Sequence, residues 1–244
     1  MGVDPDPWQE RMLNDRNQYI GMVCARQVGK TWAVSLKAGH YASTTPDGLG
    51  LIFSPSEQQS INLLRACKPY LSRAGISIAR NNTTEIIFSN GSELRALPGS
   101  EKTQRGWSGV GLLIVDEAAF APNRLWEAIE PMVAVSGGQI ILLSSADATF
   151  GFFYDIMTGD DPHWSRYKVT AYDCPRYDKA WLDWKRQTLP ERIFKREYLA
   201  EFVDPQGALI PEHMRERAHA ELKDPFDMAM NALAGHKEME DMNV

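Results

Sequence analysis

Cysteine is scarce in this chain: Cys24, Cys67 and Cys174 are its only thiols, odd in number, far apart and never arranged as CxxC. That excludes a disulfide framework and a cysteine zinc site, and fits a reducing, cytoplasmic setting. The five histidines are scattered, and His213 and His219, six residues apart, do not stack on one helical face. No run of about 18 apolar residues occurs, which argues against a helical membrane span. The start, MGVDPDPWQERML, lacks a basic region followed by an apolar one, so it does not read as a secretory signal. Asp6 also stands where a myristoylation signal requires Ser or Thr. Positive charge is short as well: the net charge is −6 and the pI about 5.4. A protein that grips DNA alone normally carries a basic footprint, so any nucleic-acid contact here is local, weak in one subunit, or summed over several.

What is present is an ordinary globular composition, 43% hydrophobic and 24% charged over 244 residues, enough for one substantial core. Short apolar runs alternate with helix-compatible segments. Tyr19–Val23, Gly50–Phe53, Leu112–Val115 and Ile140–Leu143 read as strands buried on both faces of a largely parallel sheet. Trp32–Ala42, Glu57–Leu71 and Arg124–Met132 read as intervening helices. Asn90-Gly91 between Glu85–Phe88 and Glu93–Leu97 signals a hairpin, and 99–109 a polar surface loop. Arg166–Thr170 is one more strand candidate; Lys179–Leu189 and Glu191–Phe202 are helices separated by Pro190. The pattern predicts an α/β fold, a mainly parallel central sheet flanked by helices. A small helical lid or linker follows at about 178–203. A boundary falls near residue 204, and 204–244 forms a polar tail.

The segment Cys24-Ala25-Arg26-Gln27-Val28-Gly29-Lys30-Thr31 matches seven of the eight places of the phosphate-loop pattern, with Cys24 in place of the first glycine. In such a loop successive backbone N–H groups curl round phosphates at the positive end of the following helix. Gly29 permits close approach, Lys30 reaches the β/γ phosphates, and the Thr31 hydroxyl ligates Mg²⁺. A second motif agrees with it. Leu112-Leu113-Ile114-Val115-Asp116-Glu117 puts Asp116 at the carboxyl end of a buried strand, where open α/β sheets bind ligands. Asp116 is placed to hold Mg²⁺, and Glu117 to act as general base on the attacking water. The expected function is therefore ATP·Mg²⁺ hydrolysis on a P-loop NTPase fold.

The pairing of this ARQxGKT loop with IVDEAAF resembles the ATPase domain of the large terminase subunit, the genome-packaging motor of tailed phages and herpesviruses. The likeness spans roughly residues 7–203. It implies that Gln9, ahead of the first strand, contacts adenine; an ordinary polar residue on a first helix is the plainer reading. It implies that Arg26 senses the γ-phosphate and that Ser144-Ser145-Ala146 couples hydrolysis to movement. Arg105 aligns with an arginine that some terminases insert into a neighbour's site; a solvated loop arginine or a DNA contact remain alternatives. The resemblance further implies double-stranded DNA, a portal protein and a small terminase subunit as partners. It also implies a homo-oligomeric ring when active, and the cytoplasm of an infected host cell as location. Complete large terminases continue into a nuclease with an acidic triad; GALIPEHM resembles the crossover to it, and no such triad follows Val203, so no nuclease activity is expected of this chain. A helicase-like ATPase and a nucleotide-dependent assembly module are the competing readings. Helicase motifs after the second strand are not found, and a pure binding switch has no need of Glu117.

Overall fold

The central strands bury side chains on both faces, and that dictates a layered architecture. The computed structural model describes residues 4–98 and 106–204. Along it run α1 (Pro7–Asn14), β1 (Tyr19–Cys24), α2 (Lys30–Thr44), β2 (Leu49–Ser54) and α3 (Glu57–Arg73). Then come β3 (Ile78–Asn81), β4 (Glu85–Phe88), β5 (Glu93–Pro98), β6 (Val110–Asp116) and α4 (Asn123–Ile129). β7 (Gln139–Ser144), α5 (Phe152–Thr158), β8 (Trp164–Val169), α6 (Lys179–Thr188) and α7 (Glu191–Tyr198) complete the described strands and α-helices.

The eight strands form one sheet in the order β3-β4-β5-β2-β6-β7-β1-β8. From β5 to β8 every neighbouring pair is parallel, and only β3–β4 and β4–β5 are antiparallel. Successive residues alternate between two apolar layers. Ile20, Met22, Ile52, Ile114 and Ile141 face a layer with Met12 of α1, Ala33 and Val34 of α2, and Leu63 and Leu64 of α3. Val23, Phe53, Leu113, Val115 and Leu142 face the other, with Leu125 and Ile129 of α4 and Phe152 and Phe153 of α5. Continuous apolar runs are thus what a two-sided parallel sheet requires.

The expected hairpin forms on one flank of the sheet. Gly91 takes a left-handed φ of 84°, and Phe88 N–H donates to the Ser92 carbonyl at 2.9 Å. The Asn90 amide donates to the Ala42 carbonyl at 2.9 Å, tying the turn to the end of α2. The added edge strand β3 lies where no strand is expected from sequence, and α5 likewise. The helix expected over Glu191–Phe202 ends at Tyr198, because Ala200 adopts φ 50°, a left-handed conformation that halts a helix.

Leu113 is fully buried in β6, the strand that carries Asp116. Leu113→Ala should therefore lower unfolding stability by about 2–5 kcal/mol, read from a urea midpoint. A loss below about 1 kcal/mol would mean that the layer between β6 and α4 is loosely packed.

Candidate functional site

Three neighbouring strands, β6, β7 and β1, end side by side, and each is followed by one of the polar segments singled out from sequence. After β1 the loop is held by its backbone. Ala25 N–H donates to Val169 C=O of β8 at 2.7 Å, and Arg26 N–H to Glu197 C=O of α7 at 3.1 Å. The Tyr177 hydroxyl donates to Arg26 C=O at 2.9 Å. Gly29 has φ 94° and ψ 24°, a left-handed turn suited to glycine, and α2 begins at the next residue. The first turn of α2 holds no acidic residue, so its positive end is uncompensated. Cys24 is fully buried, and burial pushes its thiol up to about 12, leaving it protonated and inert.

The charged centre is formed by Lys30 and Glu117. The Lys30 ammonium lies 3.1 Å from Glu117 Oε1 and 3.1 Å from Ser145 Oγ. Ser144 Oγ donates to Glu117 Oε2 at 3.2 Å, and Ser145 N–H approaches the same oxygen at 3.5 Å. Glu117 has φ 52° and ψ 44°, a left-handed conformation that costs a side-chain-bearing residue on the order of 1–2 kcal/mol. Its N–H donates to Asp116 Oδ1 at 3.0 Å. Asp116 is 7% exposed; burial first, and the neighbouring Glu117 charge second, raise its carboxyl to about 6, while Lys30 opposes the shift. An open cavity of about 500 Å³ is lined by Arg26, Gln27, Lys30, Pro55, Gln59, Glu117, Phe120 and Ser145. A cation, a carboxylate and a helix N-terminus facing one cavity can bind a polyphosphate and activate a water beside it.

Segments 24–31, 116–117 and 144–146 therefore converge, with Ala146 buried beneath the strand ends. Arg26 lies at the rim with its guanidinium paired to the Glu197 carboxylate. Gln9 is only 3% exposed, and its amide faces Asp6 N–H at 2.8 Å and the Gly29 carbonyl at 3.4 Å. Arg105 lies outside the described residues, as do His213 and His219. Asp6, Arg176, Tyr177 and Glu197 touch the site or brace its loop without having been singled out. Asp6 could have been suspected as the N-cap before Pro7; the others, some 150 residues away from the loop, leave no local signal.

Because the fold raises the Asp116 pKa, its contribution to stability is full below the unfolded value near 3.8 and is lost as pH rises through about 6. Metal-free Asp116→Asn should therefore be more stable than the parent at about pH 8, by on the order of 1–3 kcal/mol, the margin narrowing towards about pH 4. Thermal midpoints across that range test this; a less stable variant at high pH would show that the carboxylate is well compensated.

Comparison with known proteins follows the same lines as the geometry. A family model described as terminase large subunit, T4likevirus-type, N-terminal, matches residues 22–217. The large terminase subunit of Thermus virus P23-45 is 22% identical over 221 residues, covering 75% of this chain and 46% of that protein. That of Escherichia phage T5 is 21% identical over 220 residues, covering 85% and 50%. The chain thus spans about half the length of the curated relatives it matches. Among solved structures, the Thermus phage P74-26 large terminase ATPase domain aligns with a TM-score of 0.72 and 22% identity, covering 83% of this chain and 95% of that one. The large terminase of the thermophilic bacteriophage D6E, in complex with ATP-gamma-S, aligns with a TM-score of 0.69 and 14% identity, covering 81% and 53%. At those identities the solved structures speak for a shared fold. The family model, which covers most of the sequence, speaks for kinship: the chain belongs to the terminase large-subunit family and carries its T4likevirus-type N-terminal region.

Proposed function

We propose that this domain hydrolyses ATP, and that in an assembled motor the hydrolysis drives double-stranded DNA into a procapsid. The observation that carries the reading is the Lys30 ammonium bridging Glu117 and Ser145 in the wall of a cavity of about 500 Å³. Triphosphate oxygens entering beside Gly29 and Lys30 compete for that ammonium. Glu117, released from the pair, is then free to take a proton from the attacking water, a role worth roughly 10²–10⁴ in rate. Arg26 also lines this cavity, and its guanidinium, once released from Glu197, would be available to the γ-phosphate. Serines 144 and 145 contact the Glu117 carboxylate directly, so a change in its charge state reaches β7; that suits a coupling segment.

The donor set fits Mg²⁺. Asp116 is a buried carboxylate whose ionised form is disfavoured by burial and by Glu117 despite the Lys30 charge, and Thr31 stands on the first turn of α2. An ion there would be held by one or two side chains plus substrate phosphates. When bound, the ion supplies neutralisation of charge on the β and γ oxygens.

DNA, a portal protein, a small terminase subunit and a homo-oligomeric ring complete the proposal, with the host cytoplasm as its setting. A net charge of −6 fits DNA gripped jointly by several subunits rather than by one. Arg105 is assigned to act on a neighbouring subunit's nucleotide.

Lys30→Ala should bind ATP weakly and turn it over negligibly. Glu117→Gln should keep ATP·Mg²⁺ binding and lose turnover by about 10²-fold or more. Undiminished hydrolysis by either folded variant would place the chemistry elsewhere. Turnover per subunit should climb with protein concentration. Arg105→Ala, inactive alone, should regain activity when mixed with Glu117→Gln, because its intact Glu117 then meets an intact Arg105. Full basal activity of Arg105→Ala alone would rule out that assignment.

A further inference from the structure

Against the phosphate loop, and outside the residues that line the cavity, Arg176 meets Asp6 and Gln9 from the start of the chain. Arg176 forms a two-pronged pair with the buried Asp6: Nη1 to Oδ1 at 3.0 Å and Nη2 to Oδ2 at 2.9 Å. The second hydrogen on Nη2 goes to the Val28 carbonyl at 2.7 Å. Gln9 Oε1 accepts from Asp6 N–H at 2.8 Å, which turns its Nε2 towards the Gly29 carbonyl at 3.4 Å. A Cβ built on Gly29 would lie 2.7 Å from Gln9 Nε2 and 3.3 Å from Arg176 Nη2, so a side chain there would displace these two groups as well as strain a backbone at φ 94°.

The peptide plane gives these contacts their meaning. In a trans peptide the C=O of one residue and the N–H of the next point in opposite directions. A donor that pins the Val28 carbonyl therefore turns the Gly29 N–H away from itself, and one on the Gly29 carbonyl turns the Lys30 N–H away likewise. Those are two of the groups that a phosphate-binding loop presents to its ligand. We infer that Arg176, held by Asp6, and Gln9 are positioning residues that orient the Gly29 and Lys30 amides, setting nucleotide affinity through the triphosphate and not through the base. This rests on the reading of residues 24–31 as a phosphate site. It gives Gln9 a role at the loop backbone, since its amide is already engaged there and buried. The guanidinium is suited because its rigid fork serves a carboxylate and a carbonyl together, which a lysine ammonium cannot reproduce in that plane.

The experiment is calorimetric titration of the full chain with ATP, GTP and inorganic tripolyphosphate, each with Mg²⁺, for the parent, Gln9→Ala, Arg176→Lys and Asp6→Asn. Titrations are run well below each unfolding midpoint. Each variant should lose roughly 5- to 100-fold in affinity, by the same factor for all three ligands, as expected when a buried carbonyl loses its donor. Turnover at saturating ATP should stay within about threefold, separating KM from kcat. If Gln9→Ala weakens ATP alone and spares tripolyphosphate, Gln9 reads adenine and the inference is overturned. If Arg176→Lys and Asp6→Asn shift only the unfolding midpoint, the pair is a structural tie and the inference is again overturned. Should Asp6→Asn or Arg176→Lys fail to fold, Gln9→Ala, which leaves the ion pair intact, decides alone. A parent that binds none of the three ligands refutes the phosphate-site reading itself, a result distinct from those above.

Discussion

The Lys30 ammonium is the constraint on which the site depends. Only 13% of its side chain is exposed, and a charge so enclosed is costly unless paired and hydrogen-bonded. Its partners stand at the ends of two other strands, Glu117 after β6 and Ser145 after β7. One cation therefore draws three strand ends to a single point. The sheet order makes this attainable: β6, β7 and β1 are adjacent, parallel and buried on both faces, so their ends are level and stiff. From the other flank, Glu197 and Tyr177 reach the same loop through Arg26, so the segments after β8 are tied to it.

Unfavourable conformations gather at this rim. Gln27 and Glu117 both take positive φ without being glycine, and Asp116 carries a charge in a site that disfavours it. Strain of this kind persists where surrounding packing over-determines it, and here the fully buried Leu113, Val115, Leu142 and Leu143 lie directly beneath. Holding Asp116 and Glu117 next to each other weakens the apo protein. The Mg²⁺ proposed above would relieve that cost.

Much of this was legible in the sequence, for a physical reason. A phosphate loop must be contiguous, since its donors are successive backbone amides, and a two-sided strand must be apolar throughout. Residues 24–31, Asp116 and Glu117, and the four central strands all obey such local rules. β3 does not: Ile78–Asn81 is largely exposed, and pairing with β4 alone makes it a strand. α5 was hidden for a different reason: FFYDIMT sets its apolar residues side by side and shows no helical period. The brace behind the loop left no trace, because Arg176 finds Asp6 and Val28 across 170 and 148 residues. The left-handed turn at Glu117 is equally silent; nothing in IVDEAAF distinguishes it from a relaxed bend.

The placement of β1 has a consequence for how the chain comes into being. This strand bears the phosphate loop, yet its two neighbours in the sheet are β7 and β8, the last strands of the described chain to leave the ribosome. At about 5–20 residues per second, synthesis from Cys24 to Val169 takes on the order of ten seconds. For that interval the apolar edges of β1 have no mates, while β2 can already pair with β5 and then β6. The loop after β1 is thus walled in late, and for those seconds its strand presents unpaired edges of the kind that chaperones or a neighbouring copy can capture.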